Sequence, residues 1–383
     1  MKLRLLILCL LCPIITLAQS GTITGKVIEV DTKAPVRASV FLASSSFGTT
    51  TTDNGAFTLS GIKPGQYTLV VNAMGYQDHT QTVMVTSEPV SLTIELSHKT
   101  IQLKEVTIST LSKAEWNTCF VQFKEKFIGT DKNAGDCKII NPDVLNFSYH
   151  KAKKELDAST DDFLIVENKA LGYRVKFLIQ EFKSDEITQT TSYVGQPLFE
   201  ELPGSESQKK KWRNKRREAY YGSSRHFYRS LLKDSLVADG FEIYPLTRQL
   251  IPKPTPAPLK PNQENVREIS AHSIYTNEKL GSKWKRTDIL NTTNQPGIYA
   301  ITFPDCLYVV YKNKRVDGYP RDVYHPSDMP NYEVTIVSLS NKPPYALFDT
   351  NGSLLNDPPP LYEGIWAMSR LSMLLPVDYE PGK

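Results

Sequence analysis

The chain has 383 residues, and its 45 Lys plus Arg against 41 Asp plus Glu leave a net charge of +4. A balance this even excludes binding to nucleic acid or a membrane through overall charge, so only local clusters of charge are informative. The length exceeds that at which a single hydrophobic core usually keeps growing, so we expect two domains.

Residues 1–18 have the pattern of a secretory signal peptide. Lys2 and Arg4 precede an apolar run over residues 5–17, and Ala18 follows it. The run is too short to cross a membrane as a helix, and no later segment is apolar enough to do so. We therefore predict cleavage after Ala18 and an exported mature chain without a transmembrane segment.

Three cysteines remain in the mature chain, namely Cys119, Cys137 and Cys306. In an oxidising compartment an odd number permits at most one internal disulfide among them. Cys119 and Cys137 are the candidate pair, and the alternative is that all three are isolated buried thiols.

Residues 20–97 are predicted to form a β-sandwich. Short segments alternate apolar and polar residues, as in the stretch Tyr67–Ala73, which places every second side chain on one face. The triplets Asp53-Asn54-Gly55 and Lys63-Pro64-Gly65 supply turns between such segments. About seven strands at this spacing, without a helical period, are typical of an all-β sandwich.

The order of these elements resembles the carboxypeptidase-regulatory-like domain, which has a prealbumin-like fold. The resemblance implies a setting as well as a fold, because similar domains precede outer-membrane receptors and other secreted envelope proteins of the Bacteroidetes type. We therefore expect this protein in the periplasm or at the periphery of the outer membrane. Peptidase activity is not implied, since the catalytic domain of that family is separate. The residues that carry the resemblance are Gly25-Lys26-Val27, 35–40, 52–57, 65–69 and Gly75-Tyr76.

Residues 98–110 are predicted to be a linker strand, and residues 111–383 an α+β domain with a mostly antiparallel sheet. Ser112 and Glu115 form a capping box ahead of a helix over residues 113–128. A long hairpin is expected over residues 171–194, with its turn at 183–185, and further strands follow, the first at Phe241–Tyr244. A proline-rich loop over 245–261 and a closing helix over 364–375 complete the predicted elements.

This C-terminal region also resembles a recurring, uncharacterised region of secreted Bacteroidetes-type proteins that begin with the same sandwich. That resemblance brings no known activity or site with it. It is carried by Phe127-Ile128-Gly129, 137–142, 167–173, 219–223 and 375–379.

A search for catalytic motifs finds none with a clear mechanism. A zinc carboxypeptidase needs His-x-x-Glu on one helical turn, and only His325 has an acidic residue, Asp328, three positions later, in a loop that contains proline. No nucleophile elbow, phosphate-binding glycine loop or dinucleotide fingerprint occurs. We therefore expect no metal site and no cofactor, and the motif search leaves enzymatic activity undecided.

The most unusual stretch is KKKWRNKRREAYYGSSRHFYRSLLK, residues 209–233. On a helix, Trp212 and Tyr220 share an apolar sector and most cations lie outside it, with a break expected at Gly222. Arg216 falls inside that sector, where it either packs on an aromatic ring or holds a carboxylate or phosphate. The candidate ligand-binding residues are Trp212, Arg213, Arg216, Arg217, Tyr220, Arg225, His226 and Arg229.

These cations are expected to contact an envelope protein or anionic lipid, including lipopolysaccharide, rather than nucleic acid, to which an exported chain has little access. The alternative is a solvated helix face. The predicted function is a non-catalytic binding or assembly module of the bacterial cell envelope. The alternatives are an envelope peptide or glycan hydrolase with a dispersed site, and a periplasmic partner of a TonB-type outer-membrane transporter.

Overall fold

The computed structural model describes residues 20–99, 111–250, 275–316, 329–339, 344–356 and 359–382. The predicted signal peptide, nearly all of the predicted linker strand and residues 251–261 of the proline-rich loop lie outside these ranges, as do His325 and Asp328. Within them, no helix combines the length and the apolar composition needed to cross a membrane.

The first unit is the predicted sandwich of seven strands. One sheet has the order β4-β1-β7 and the other β3-β2-β5-β6, and their inner faces enclose a core that contains Val40, Leu69 and Ile94. The expected turn at residues 53–55 is present, with Gly55 at a φ of 79°. The strands are β1 (Gly21–Glu29), β2 (Ser39–Leu42), β3 (Gly48–Thr50), β4 (Ala56–Ile62), β5 (Gly65–Asn72), β6 (His79–Val85) and β7 (Val90–Leu96).

The second unit packs helix α1 (Lys113–Ile128) on a six-stranded antiparallel sheet. The predicted capping box is confirmed, because Ser112 and Glu115 each accept the backbone N–H of the other. Phe123 and Phe127 of α1 are completely buried in the core of this unit. The sheet contains β8 (Cys137–Ile139), β9 (Leu145–His150), β10 (Glu155–Thr160), β11 (Leu164–Asn168), β12 (Tyr173–Asp185) and β13 (Thr190–Glu201).

The hairpin of β12 and β13 is longer than the sequence predicts. Its turn lies after Asp185 rather than at residues 183–185, because the Asp185 carboxylate accepts hydrogen bonds from the N–H groups of Ile187 and Thr188 at 2.7 and 3.0 Å. Gln189 then adopts a φ of 55° as the chain enters β13.

The predicted basic helix is two helices, α2 (Glu206–Tyr220) and α3 (Ser224–Lys233). Gly222 separates them with a φ of 89°, so the expected break is confirmed. The predicted closing helix is mostly absent, and only α4 (Ile365–Met368) and a 3₁₀ turn at Leu371–Met373 form.

A third unit surrounds α3, and its buried residues form clusters separate from the core of the second unit. One sheet has the order β15-β14-β18-β19-β21 and a smaller one β16-β17-β20. Residues 245–250 belong to a strand and not to the proline-rich loop, because Pro245 lies opposite Leu307. The strands are β14 (Phe241–Leu250), β15 (Tyr275–Leu280), β16 (Leu290–Thr292), β17 (Ile298–Ile301), β18 (Cys306–Arg315), β19 (Tyr332–Ser338), β20 (Ala346–Asp349) and β21 (Leu361–Gly364).

The sandwich packs directly on the sheet of the second unit. Phe41 and Val70 of the sandwich form a buried apolar cluster with Leu178 and Leu198. Backbone bonds join the same two units, since the N–H of Ser44 donates to the Pro197 carbonyl at 2.6 Å. The interface therefore combines a buried apolar cluster with backbone hydrogen bonds.

Residues 371–382, which we call the C-terminal segment, contact all three units. Leu375 lies in the core of the second unit and Val377 in that of the sandwich. The Val377 N–H donates to the Ser44 carbonyl at 2.7 Å, and the Asp378 carboxylate accepts from the backbone and the hydroxyl of Ser46. The segment thus fastens the units to one another.

We predict that Phe41→Ala lowers the free energy of unfolding by about 3–5 kcal/mol, because it opens a cavity between the first two units. Met84→Ala is the control, since that side chain on the same sandwich is 47% exposed and its loss should cost within about 0.5 kcal/mol. Urea unfolding followed by tryptophan fluorescence measures both. Equal effects of the two substitutions would contradict the proposed interface.

Candidate functional site

Trp212 anchors the inner face of α2 to the second unit. Its indole N–H donates to the Lys169 carbonyl at 2.8 Å, and its ring covers Gly172 and Gly204. A Cβ added at Gly172 would lie 2.2 Å from the indole, and the φ of 73° at this position favours glycine in any case. Trp212 is therefore an internal packing residue.

Arg216 both packs on an aromatic ring and binds a carboxylate, the two roles that the sequence left open. Its side chain is 9% exposed, and its Nη1 lies 2.6 Å from a carboxylate oxygen of Glu201 in the same chain. Its Nε donates to the Leu171 carbonyl at 2.7 Å, while the guanidinium stacks 3.8 Å from the centre of the Tyr173 ring. The carboxylate that Arg216 holds thus comes from the protein and not from a ligand.

Arg225 and Arg229 of α3 hold the C-terminal segment through its backbone carbonyls. Arg225 Nη1 donates to Leu375 and Pro376 at 2.7 and 2.8 Å. Arg229 donates from all of its donor nitrogens, to Val377, Tyr379 and Asn351. These two cations therefore serve the assembly of the chain, although Nε of Arg225 has no hydrogen-bond partner in the described part of the chain.

His226 and Tyr220 are buried where α2 and α3 meet. His226 Nδ1 accepts the Gly222 N–H at 3.2 Å, and the imidazole lies between the rings of Tyr220 and Phe241. Burial lowers the pKa of His226 to about 4, although Asp239 opposes the shift. His226 is therefore neutral near pH 7 and acts as a core residue.

The outer face of α2 carries the cations that remain available. Arg213 and Arg217 are exposed, as are Lys210 and Lys211, and none of the four is paired with a described carboxylate. By contrast, Lys209 and Lys215 pair with Glu206 and Glu218 on the same helix. Lys210, Arg213 and Arg217 follow the spacing i, i+3, i+7, which places them on one stripe. We call Lys210, Lys211, Arg213 and Arg217 the cationic face.

A cavity of about 560 Å³ lies beside the cationic face. Lys211 and Lys215 of α2 line it together with Lys169 and Arg174 of the second unit. Arg174 is paired with Glu167 at 2.8 Å and Lys215 with Glu218 at 2.7 Å, and Asp136 also lines the cavity. Lys169 and Lys211 are the lining cations that no described carboxylate pairs. The positively charged surface therefore extends beyond a single helix.

The predicted Cys119–Cys137 disulfide is not formed in this structure. Cys119 lies on α1, Cys137 begins β8, and both are buried free thiols, as is Cys306. The Cys137 thiol instead approaches the Asn133 carbonyl at 3.5 Å. Burial raises the pKa of all three thiols, that of Cys137 to about 12, so each is protonated and unreactive near neutral pH.

The hairpin of β9 and β10 brings His150, Glu155 and Asp157 together at the surface. Their ligand atoms lie within 4.8 Å of one another, a distance compatible with holding a metal ion, although exposed acidic groups often cluster without one. The motif search could not find this group, because its members meet across a strand pair and not along one helical turn. The expectation that the protein has no metal site was based on sequence motifs alone and took no account of this group.

Comparison with known families identifies the first unit. Residues 23–108 match the family model described as the CarboxypepD_reg-like domain, so the N-terminal β-rich unit has the fold that the sequence resemblance implied. The match ends before α1 and does not reach the cationic face. Among the curated proteins, none matches the chain.

Several solved structures match parts of the chain with low TM-scores. The group B streptococcus pilus 2b backbone protein is 25% identical over 20% of this chain and 41% of its own, with a TM-score of 0.18. A type II cohesin–X-dockerin complex from Acetivibrio cellulolyticus is 18% identical over 20% and 56%, with a TM-score of 0.18. A DUF3823 family protein from Bacteroides ovatus is 11% identical over 48% and 82%, also with a TM-score of 0.18. This chain spans 41% to 58% of the first three solved chains, and TM-scores this low carry no argument about function.

We predict that Arg216→Met lowers the free energy of unfolding by about 2–4 kcal/mol, because it leaves Glu201 and two carbonyls without their donor. Arg213→Met, one turn earlier and exposed, is the matched control and should change stability by within about 0.5 kcal/mol. Thermal and urea unfolding measure the difference. A control as damaging as Arg216→Met would refute the division of α2 into an inner and an outer face.

We also predict that His226 makes the folded chain less stable in acid. Its pKa of about 4 in the folded chain lies below the unfolded value near 6.5, so the unfolded state binds the proton first as pH falls. Stability is therefore complete above pH ~6.5 and lost as pH falls towards ~4, by up to about 3 kcal/mol from this residue. His226→Asn should flatten that part of the pH dependence.

The measurement is the urea-unfolding free energy at a series of pH values for the parent and His226→Asn. Acidic side chains also titrate in this range, so the difference between the two curves is the quantity of interest. His98→Asn, on an exposed histidine of the sandwich, controls for the loss of a histidine. Parallel curves for parent and His226→Asn would show that His226 is protonated equally in both states.

Proposed function

We propose that this protein is a non-catalytic binding module of the bacterial cell envelope that docks on anionic lipid headgroups through the cationic face of α2. The observation that carries the proposal is that Lys210, Lys211, Arg213 and Arg217 are exposed and unpaired, whereas the inner cations of the same stretch are used within the chain. Cations without carboxylate partners are the ones that can exchange water for lipid phosphate.

The cationic face is held rigidly. Trp212 and Arg216, on the opposite side of α2, bind carbonyls of the second unit, so the helix does not have to be ordered when it meets a surface. Preorganisation of this kind lowers the entropic cost of binding. Each Lys or Arg near an anionic surface contributes about 1 kcal/mol, so four give about 4 kcal/mol and a reversible, salt-sensitive attachment.

The expected location of the protein supports the same proposal. The signal peptide expected over residues 1–18 would export the chain, and domains similar to its first unit occur in secreted envelope proteins. An exported chain of this kind would meet membrane surfaces that carry lipid phosphates. An acidic envelope protein is the competing partner, and the experiment below distinguishes it from lipid.

We predict that the chain of residues 19–383 sediments with vesicles that contain anionic phospholipid or lipopolysaccharide, and not with neutral phosphatidylcholine vesicles. The triple variant Lys210→Gln, Arg213→Gln, Arg217→Gln should bind at least about tenfold more weakly, since three contributions of about 1 kcal/mol are lost. Raising the salt concentration should release the parent chain.

The matched control is Lys26→Gln, Lys113→Gln, Lys124→Gln, which removes the same charge from exposed positions on the sandwich and α1. It should bind as the parent does, and circular dichroism verifies that both triple variants are folded. If the two variants lose binding equally, overall charge and not the cationic face is responsible. If the parent chain does not bind anionic vesicles, the lipid proposal is wrong. Binding of an acidic protein by the cationic face is then the hypothesis to test.

A further inference from the structure

A second cavity, of about 350 Å³, lies where the sandwich, β13, α3 and the turn after β20 meet. We call it the junction cavity. It is separate from the cationic face, and its wall includes Tyr67, Gln196, Arg225 and Ser353. Cavities between domains are common ligand sites, and this volume is near the lower end of the range of about 300–1,000 Å³ that such sites occupy.

Two buried polar atoms in this wall have no hydrogen-bond partner. They are Nε of Arg225 and the hydroxyl oxygen of Ser353. Buried polar atoms in folded proteins are nearly always paired with protein or with another molecule, so these two are available to a molecule in the cavity. Arg225 Nε can only donate, whereas the Ser353 hydroxyl can donate or accept, so one acceptor group can satisfy both.

The charge of Arg225 also lacks a direct counterpart. Within the described ranges, no carboxylate oxygen lies within 4.0 Å of its guanidinium, whose Nη1 is used by the carbonyls of Leu375 and Pro376. Asp349 lines the same cavity, but its carboxylate accepts hydrogen bonds from its own turn, from Asn351 and Ser353. Burial, and then the neighbouring Arg229, lower the pKa of Arg225 to about 10, although the carboxylates of Asp349 and Asp378 oppose the shift.

The geometry points to a small anionic ligand: we propose that the junction cavity binds a molecule through a carboxylate or phosphate group, held by the Nε and Nη2 edge of Arg225 and by the hydroxyl of Ser353. That edge of a guanidinium presents two parallel N–H donors, which match the two oxygens of such a group. The hydrogen bonds from Nη1 to two carbonyls fix the plane of the guanidinium, and the Nε and Nη2 edge then remains for the proposed ligand. The small volume suits an organic acid or a phosphate ester, and not a polymer.

The test is calorimetric titration of the chain of residues 19–383 with inorganic phosphate and, separately, with succinate, against chloride at equal ionic strength. One probe or the other is expected to bind saturably at one site, and their relative affinity identifies phosphate or carboxylate as the preferred group. Arg225→Gln should weaken binding about tenfold or more, and Ser353→Ala about threefold. Ser353→Ala removes only an unpaired hydroxyl, so it should leave stability unchanged.

Two controls separate this site from other effects. Arg229→Gln also loosens the C-terminal segment but has no unused edge, so it should retain binding within about threefold under conditions where it is folded. The cationic-face triple variant should retain binding of phosphate or succinate fully, which separates failure of this inference from failure of the lipid proposal. Absence of saturable binding for both probes, or loss of binding in Arg229→Gln equal to that in Arg225→Gln, would overturn the inference.

Discussion

The arrangement of the three units depends on two guanidinium groups that hold backbone carbonyls. Arg225 and Arg229 project from α3 of the third unit and bind carbonyls between Leu375 and Tyr379. Those same residues place Leu375 in the core of the second unit and Val377 in the core of the sandwich. Arginine suits this task, because its planar group donates in several directions while remaining charged. They act together with the apolar cluster around Phe41 and the backbone hydrogen bond from Ser44 to Pro197, which join the sandwich to the second unit.

The basic stretch divides its cations between two tasks. Residues that point inwards, such as Arg216, satisfy carbonyls and carboxylates that folding has removed from water. Residues that point outwards, such as Arg213 and Arg217, keep their hydration and remain available to another molecule. The alternation follows from the helical period, so neighbouring arginines in the sequence have opposite fates. A mutation that combines Arg213, Arg216 and Arg217 would therefore mix a stability effect with a binding effect.

Sequence reasoning captured the local features whose signals are short in range. The strands of the sandwich, the capping box at Ser112 and the break at Gly222 each depend on residues within a few positions of one another. What it missed depends on contacts between distant residues. The carbonyls held by Arg225 lie 150 and 151 positions away, and the group around His150 meets only across a hairpin. The residues next to an arginine in the sequence do not show which distant carbonyl it will bind. The hydrogen-bond partners of the individual arginines therefore could not be predicted.

The bond between Asp378 and Ser46 spans 332 positions of sequence. Contacts of such long range form late in folding, because the intervening chain must first be ordered. Synthesis proceeds from the N-terminus, so the strands of the sandwich can assemble before Val377, the last residue of its core, has been made. Until β12 and β13 have also been made, the surface around Phe41 lacks the cover that Leu178 and Leu198 provide. A chaperone that shields this surface during biogenesis would therefore act on the nascent protein and have no contact with the finished one.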